Sequence, residues 1–383
     1  MNNTLQNTHL FLILSILLLP ACKKEKKLPE KPSTLLYTMP AENETHEGTW
    51  LQWPHQYQYG MAYRNSLDST WIAMTKALVS SENVHIIAYN QSEKDRIISL
   101  LAANNISLNN IDFNIFKTDD VWIRDNGPVY VKDSNANWAI EDWGFNGWGH
   151  KTDYLSGQYI EYANCNLIPF KIANIQGKTY IDLNTSMINE GGAVEVDGQG
   201  TLMACKSSIL NNNRNPGMTQ AEAEAIFTKY LGVSHFIWLD GRAGLEITDQ
   251  HIDGFARFAN DSTIVTMNEN DLLEYEIKQS DIDKLYAAKN KQGNDYLFLK
   301  IPLTKNTVTT TDGKDLGYKG SYVNFYIANN TVLVPNYKDS NDSIANALIQ
   351  TLFPARTVVG IDVRNLYENG GMVHCVTQQQ AAE

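Results

Sequence analysis

Cysteine is scarce in this chain, with four among 383 residues, at positions 22, 165, 205 and 375. No two lie close enough in sequence to suggest a metal clamp such as Cys-x-x-Cys. Basic residues are also short, 31 Lys and Arg against 43 Asp and Glu, a formal net charge of −12. Such a surface does not suit nucleic acid and mildly favours cationic partners. From residue 36 onward there is no long linker, charge block or low-complexity run to divide the chain. What is present is a globular composition, 43% hydrophobic with 19 Tyr and 8 Trp, long enough to bury a large core.

An apolar run, Leu10 to Leu19, precedes Pro20-Ala21-Cys22 and Lys23-Lys24-Glu25-Lys26-Lys27. It is too short to span a bilayer comfortably and has the length of a signal-peptide core. Leu19-Pro20-Ala21-Cys22 resembles a bacterial lipobox, although Pro at its second position is unusual and Met1 to Thr8 carries no Lys or Arg. The expectation is a protein exported to the bacterial cell envelope and touching the membrane only through a lipid anchor. Residues 1–21 would be the signal peptide, 22–35 a tether beginning at an acylated Cys22, and 36–383 a single folded domain. Export would put Cys165, Cys205 and Cys375 in an oxidising compartment. A Cys165–Cys205 disulfide is one option there, and the odd count leaves at least one thiol over.

Beyond the tether, helix-like and strand-like stretches alternate. Leu67 to Val79 reads as an amphipathic helix and Val84 to Tyr89 as a buried strand. Ala193–Val196 and Thr201–Cys205 flank Asp197-Gly198-Gln199-Gly200, a hairpin pattern. Thr219 and Glu222 form a capping-box signature for a helix to about Tyr230, Gly232 ends it, and Phe236–Leu239 reads as the next strand. A further helix runs from about Ser343 to Leu352, stopped by Pro354.

Three stretches are rich in polar chemistry: Trp122-Ile123-Arg124-Asp125-Asn126-Gly127-Pro128, Asn189-Glu190-Gly191-Gly192 and Asp249-Gln250-His251-Ile252-Asp253. A fourth, Asn369-Gly370-Gly371-Met372-Val373-His374-Cys375, holds the last thiol. Their spacing is regular: 65 residues from Asp125 to Glu190, 61 from Glu190 to His251 and 124, twice 62, from His251 to Cys375. The skipped step falls near Ser321-Tyr322-Val323-Asn324-Phe325-Tyr326, and Gly48-Thr49-Trp50-Leu51-Gln52-Trp53-Pro54 lies one step before Asp125. The spacing suggests about five similar modules, each sending a strand end or loop to a common centre.

Each group alone has a plain structural explanation. Cys375 suits a packed thiol, Arg124 and Asp125 an ion pair at a turn, Glu190 a hairpin rim, and His251-Ile252-Asp253 a solvent-facing strand edge. Read as strand, His251 and Asp253 share one face, with Asp249 a further carboxylate close by. Arg124 and Asp125 point opposite ways, one bracing the scaffold and one facing the site. By the same alternation His374 points away from Cys375 and is not its base. Taken together, a thiol, a histidine and separated carboxylates fit one group, the guanidinium. It is planar, permanently charged and offers paired N–H donors to carboxylates. Its central carbon is then open to a thiolate, with a histidine to move protons.

These residues resemble the agmatine deiminase and bacterial-type peptidylarginine deiminase family of guanidino-group-modifying enzymes. The matching stretches are Met39-Pro40-Ala41-Glu42 through His46-Glu47-Gly48-Thr49-Trp50 and Trp53-Pro54; Trp122 through Pro128; and Phe145-Asn146-Gly147-Trp148-Gly149. Further on are Glu190-Gly191-Gly192 with Asp197 through Thr201, Asn213-Arg214-Asn215-Pro216, Thr248 through Asp253, and His374-Cys375-Val376-Thr377-Gln378-Gln379. The resemblance implies an α/β fold, a five-bladed, pseudo-symmetric α/β-propeller (pentein) of ββαβ-type modules around a central funnel. It implies hydrolysis of a guanidine to a ureido group and ammonia, with no metal and no organic cofactor. On the matching positions Cys375 is the nucleophile that forms an amidino-thioether, and His251 is the general acid and base. Asp125 and Asp253 grip the guanidinium, and Glu190 orients or charge-tunes His251. Trp122 would line the funnel against the substrate's carbon chain, and Asn324 comes from the module without an acid. Two departures, Gln250 where the family often has Gly and Gly254 where it often has Asn, bear on substrate identity more than on reaction type.

The implied partner is a small cationic guanidine, agmatine, giving N-carbamoylputrescine and ammonia. The alternative is arginine in a peptide, converted to citrulline, which export to the envelope favours. Near Phe145 to Lys151 no paired arginines stand ready to grip a C-terminal carboxylate. A Cys-His-Asp peptidase leaves the separated carboxylates poorly explained. A non-catalytic guanidine-binding lipoprotein leaves Cys375 together with His251, Asp125 and Asp253 unexplained. Oligomeric state has no signature in the sequence.

Overall fold

Three consecutive strands, paired first antiparallel and then parallel, form the recurring element of the fold. Val129–Asp133 pairs antiparallel with Trp138–Gly144, which pairs parallel with Thr179–Ile188. The same order recurs in Val194–Val196, Thr201–Cys205 and His235–Leu239. It recurs again in Ala256–Asn260, Thr263–Thr266 and Leu297–Lys300, and in Tyr326–Ile327, Thr331–Asn336 and Thr357–Asp362. One further copy uses both ends of the domain: Gln378–Ala381 lies antiparallel to His46–Gln52, which lies parallel to Asn83–Ala88. This computed structural model describes residues 36–152 and 157–383, so the stretches expected to be a signal peptide and a tether, with Cys22, lie outside the described residues. Residues from Leu35 onward make one compact unit of mixed α/β structure.

The parallel step requires a crossover, and helices supply it. They are Ile168–Gln176, Gln220–Leu231, Glu269–Glu274 with Gln279–Tyr286, Asp342–Leu352 and Gln56–Leu78. Gln220–Leu231 opens on the expected capping box, Thr219 and Glu222 each satisfying the other's backbone N–H, and closes on Gly232. Asp342–Leu352 ends ahead of Pro354 as read. The expected hairpin forms, with the Asp197 carboxylate accepting from the N–H groups of Gln199 and Thr201.

The first helix is longer than its periodicity predicts, starting at Gln56 rather than Leu67. His55 caps it, and Gly60 (φ 68°) breaks its regularity within a stretch that exposes Tyr57 and Met61. The apolar period is faint there because only two half-buried tyrosines, Tyr59 and Tyr63, pack against the core. Further along, Leu67, Trp71, Met74 and Leu78 form one fully buried face, each worth about 1.5–3 kcal/mol of apolar burial. The Gly48–Pro54 stretch is the second strand of its unit, not a turn at the centre. Cys165 and Cys205 are both buried and free, so the disulfide option is not taken. Cys165 instead accepts from the N–H of Asp119 at 3.2 Å.

Candidate active site

The residues singled out by spacing share one structural position, the turn that leads into the first strand of a unit. Asp125 lies in the helical turn Ile123–Asn126 ahead of Val129, and Glu190 precedes the 3-10 turn Gly191–Ala193 ahead of Val194. His251 and Asp253 lie at the 3-10 turn Ile252–Gly254 ahead of Ala256. Asn324 precedes Tyr326, and Cys375 precedes Gln378. The period of about 62 residues is thus the length of a ββαβ unit.

Three local readings need correction. His374 and Cys375 lie in a turn rather than on alternating strand faces, and both side chains reach Asp253 Oδ2, at 2.7 and 3.8 Å. His251-Ile252-Asp253 is not a strand: the His251 N–H is taken by the Thr248 hydroxyl at 3.1 Å, which leaves no ladder to join. Trp122 to Asp125 is not alternating strand either, since Asp125 N–H closes a turn onto the Trp122 carbonyl at 3.0 Å. A turn still separates Arg124 from Asp125. Arg124 turns to Gln379 Oε1 (2.8 Å) and Glu42 Oε2 (3.2 Å), and Asp125 turns to the histidine.

Cys375 Sγ lies 3.4 Å from Asn324 Nδ2 and 3.8 Å from Asp253 Oδ2. Of the three free cysteines it is the one not fully buried. His251 Nε2 is 3.1 Å from Glu190 Oε2, and its Nδ1 is 3.8 Å from Asp125 Oδ1. Asp125 accepts from the Gly192 N–H on Oδ1 (3.0 Å) and from the Trp148 indole on Oδ2 (2.9 Å). Gly192 sits in the middle: a Cβ there would lie 2.6 Å from His251 Nδ1 and 3.0 Å from both Asp125 Oδ1 and Asp253 Oδ2. Trp122 is buried, edge-on to Trp148, and presses on Gly371 so closely that a Cβ there would stand 2.1 Å from the indole.

The charges follow from this crowding. Burial pushes the Cys375 thiol well above its usual range, and the carboxylates of Asp253 and Asp125 push it further. Burial raises Asp125 too, with Glu190 and Asp253 adding and His251 opposing. Burial alone would lower His251, but Asp125, Glu190 and Asp253 outweigh it and lift the imidazole to about 9. Burial disfavours charge on Asp253 as well, yet His374, His251 and Arg257 hold its carboxyl below the usual range. The resting site therefore pairs a protonated thiol with a protonated imidazole and carries carboxylates on two sides.

Four residues with no role read from the sequence complete the site. Arg214, fully buried, gives Nε to both oxygens of Glu190 (2.8 Å each) and Nη1 to Asp249 Oδ2 (2.6 Å). Removing one partner of such a pair costs about 3–5 kcal/mol. Asp249 also binds Lys151, so this carboxylate belongs to the scaffold rather than to the thiol. Trp148 fixes Asp125, while His374 and Glu42 stand behind Asp253. A sequence signal existed only for the need: buried acids such as Glu190 require a cation, but not a particular one. At Gln250 the backbone takes a left-handed φ of 75°, an uncommon conformation for a side chain other than Gly, with its N–H held by Glu246 Oε1 at 2.6 Å. At Gly254 a Cβ would approach the Tyr275 hydroxyl to 3.4 Å, so that tyrosine borders the space a larger residue would use.

The sequence profile of the Porphyromonas-type peptidyl-arginine deiminases matches residues 38–381, nearly all of the described chain. The chain belongs to that family. The agmatine deiminase of Pseudomonas aeruginosa (strain LESB58) is 31% identical over 362 residues, covering 90% of this chain and 96% of the relative. The agmatine deiminase of Stutzerimonas stutzeri is 30% identical over 364 residues, with the same shares. Among solved structures, the Enterococcus faecalis agmatine deiminase superposes with a TM-score of 0.76 at 25% identity, covering 90% of this chain and 95% of that one. Family and fold agree: the mixed α/β units above are those of the pentein-fold agmatine deiminases.

Proposed function

We propose that this chain hydrolyses agmatine to N-carbamoylputrescine and ammonia through a covalent intermediate on Cys375. Membership of the family makes it a hydrolase of guanidine-type carbon–nitrogen bonds. The observation that carries the finer reading is the convergence of His251, Asp125 and Asp253 around Gly192, with Cys375 against Asp253. Agmatine is chosen because relatives named agmatine deiminase match along the whole domain. We also read the five ββαβ units as blades of one propeller, with the site at its centre.

In this reading the guanidinium enters between Asp125 and Asp253 and supplies the positive charge that their carboxylates and the thiol lack. The Cys375 proton is released to solvent only then, and the thiolate attacks the central carbon. His251, already protonated, gives the Nδ1 proton to the departing nitrogen, and ammonia leaves. The neutral imidazole, held through Nε2 by Glu190, next takes a proton from water as it adds to the amidino-thioether. Collapse breaks the C–S bond, the hydroxyl proton of the adduct passes to the sulfur, and the ureido product leaves with Cys375 again a thiol and His251 again protonated. Asn324 steadies the sulfur, and Trp122 borders the substrate's carbon chain.

The test offers the purified full chain agmatine, free arginine and a peptide ending in arginine, and measures ureido product. Agmatine is expected to be turned over with the highest kcat/KM. Turnover of the peptide and not of agmatine would replace this reading with the peptidyl-arginine one. Separately, we propose lipidation at Cys22, supported by the apolar run and Leu19-Pro20-Ala21-Cys22. Cys22→Ser is expected to move the activity from the membrane to the soluble fraction on fractionation. An unchanged distribution would count against the anchor.

A further inference from the structure

One side chain next to the thiol has no part in the chemistry above, yet both of its ring nitrogens are engaged. His374 is buried, with Nδ1 2.7 Å from Asp253 Oδ2 and Nε2 2.9 Å from Glu42 Oε2. Its backbone N–H is also held, by Asn324 Oδ1 at 3.0 Å. Glu42 in turn takes Arg124 (3.2 Å) and Arg257 (3.0 Å) on the same oxygen, and its other oxygen accepts from the Ile327 N–H at 2.8 Å. Arg257 is completed by Glu195 at 2.8 Å. Burial disfavours charge on Glu42, but Arg257, His374 and Arg124 hold its carboxyl well below the usual range. Asp253 is held ionised in the same way. Each ring nitrogen faces a carboxylate oxygen, so the imidazole bridges Asp253 and Glu42 as a fixed strut.

We propose that His374 is a positioning residue for guanidine binding: braced by Glu42 through Nε2, it holds Asp253 through Nδ1 at the Oδ2 atom that also faces Cys375 and Gly192, and so sets how that carboxylate meets the substrate. The inference rests on Asp253 gripping the guanidinium, as proposed above. It gives Met39-Pro40-Ala41-Glu42 a role, and it explains a histidine beside the nucleophile that serves neither as its base nor as its acid. A carboxylate free to rotate would meet the guanidinium in several geometries, and binding would suffer before chemistry.

Two substitutions separate the two ends of the strut. In His374→Asn the side-chain amide nitrogen falls near the place of Nδ1, keeping the Asp253 contact and losing Glu42. In His374→Gln it falls near the place of Nε2, keeping Glu42 and losing Asp253. Steady-state kinetics on the purified full chain should show KM for the guanidine raised about 10- to 100-fold in His374→Gln, with a smaller fall in kcat and a KM close to wild type in His374→Asn. A merely structural role would make the two variants alike, and equal effects, or an unchanged KM in His374→Gln, would overturn the proposal. Nitrogen-15 histidine NMR of the unaltered chain gives a readout that does not depend on either variant folding. Both ring nitrogens of His374 are expected to show the shifts of hydrogen-bonded nitrogens, and one nitrogen without a hydrogen-bond partner would overturn the strut. Absence of guanidine turnover by the wild-type chain would instead remove the reading on which the inference rests, and the NMR would still decide the bridge.

Discussion

Cys375→Ala is expected to reduce turnover of the guanidine by about 10⁴-fold or more while leaving it bound, because the nucleophile and the binding groups are different side chains. Asp125 and Asp253 keep their partners, Gly192, Trp148 and His374, when the sulfur is gone. Calorimetry would report binding of agmatine to the variant, and the ureido assay its turnover. A variant that retained more than about a hundredth of wild-type turnover would not be missing its nucleophile. The protonation of the thiol adds a second expectation. Since burial, Asp253 and Asp125 raise the Cys375 thiol, the thiolate fraction is small at neutral pH and grows as pH rises. Iodoacetamide should therefore modify resting Cys375 slowly at neutral pH and faster in alkali, followed by peptide mass spectrometry. Rapid labelling at neutral pH would mean that the thiolate exists before the substrate arrives.

Gly192→Ala should be nearly as damaging, although it adds a single methyl group. The backbone raises no objection, because Gly192 is not among the residues with positive φ. The conflict lies with the side chains. The new Cβ would press on His251 Nδ1 at 2.6 Å and on the oxygens of Asp125 and Asp253 at 3.0 Å. These are the groups proposed to move the proton and to hold the substrate, and each is pinned from behind, by Glu190, Trp148 and His374. None can retreat without breaking a buried charged contact. A displacement of about 1 Å in such groups costs on the order of 10²-fold in rate, and three are displaced together. The expected result is a loss in kcat/KM of about 10² to 10⁴, with a cooperative thermal unfolding transition retained. Activity above about a tenth of wild type would show that the three groups do not converge on this atom.

Local signals were legible where the chemistry is local. Thr219 and Glu222 lie three residues apart and cap each other, and Asp197 accepts from its own turn, so neither needed distant information. The spacing of Asp125, Glu190 and His251 was legible because every unit repeats the same turn before its first strand. The skipped step at Asn324 was filled by an uncharged amide, which a search for acids and thiols passes over. Alternation along His251-Ile252-Asp253 misled because a residue near the centre bonds to side chains, not to a neighbouring strand. The supporting shell was hidden for a different reason. Glu42 and His374 are 332 residues apart, and Arg214 reaches Glu190 and Asp249 from a third segment. A sequence states that a buried charge needs a partner, and only the fold states which.

The pairing of Gln378–Ala381 with His46–Gln52 has a consequence for when the protein becomes active. The strand that follows Cys375 closes on a strand near the other end of the domain, with Gln378 opposite Trp50 and Gln380 opposite Gly48. Contacts so distant along the chain form late in folding, after the entropy of joining the ends has been overcome. The sulfur is thus held beside its carboxylates by a pairing that joins segments more than 300 residues apart, so the site is complete only when that closure is made.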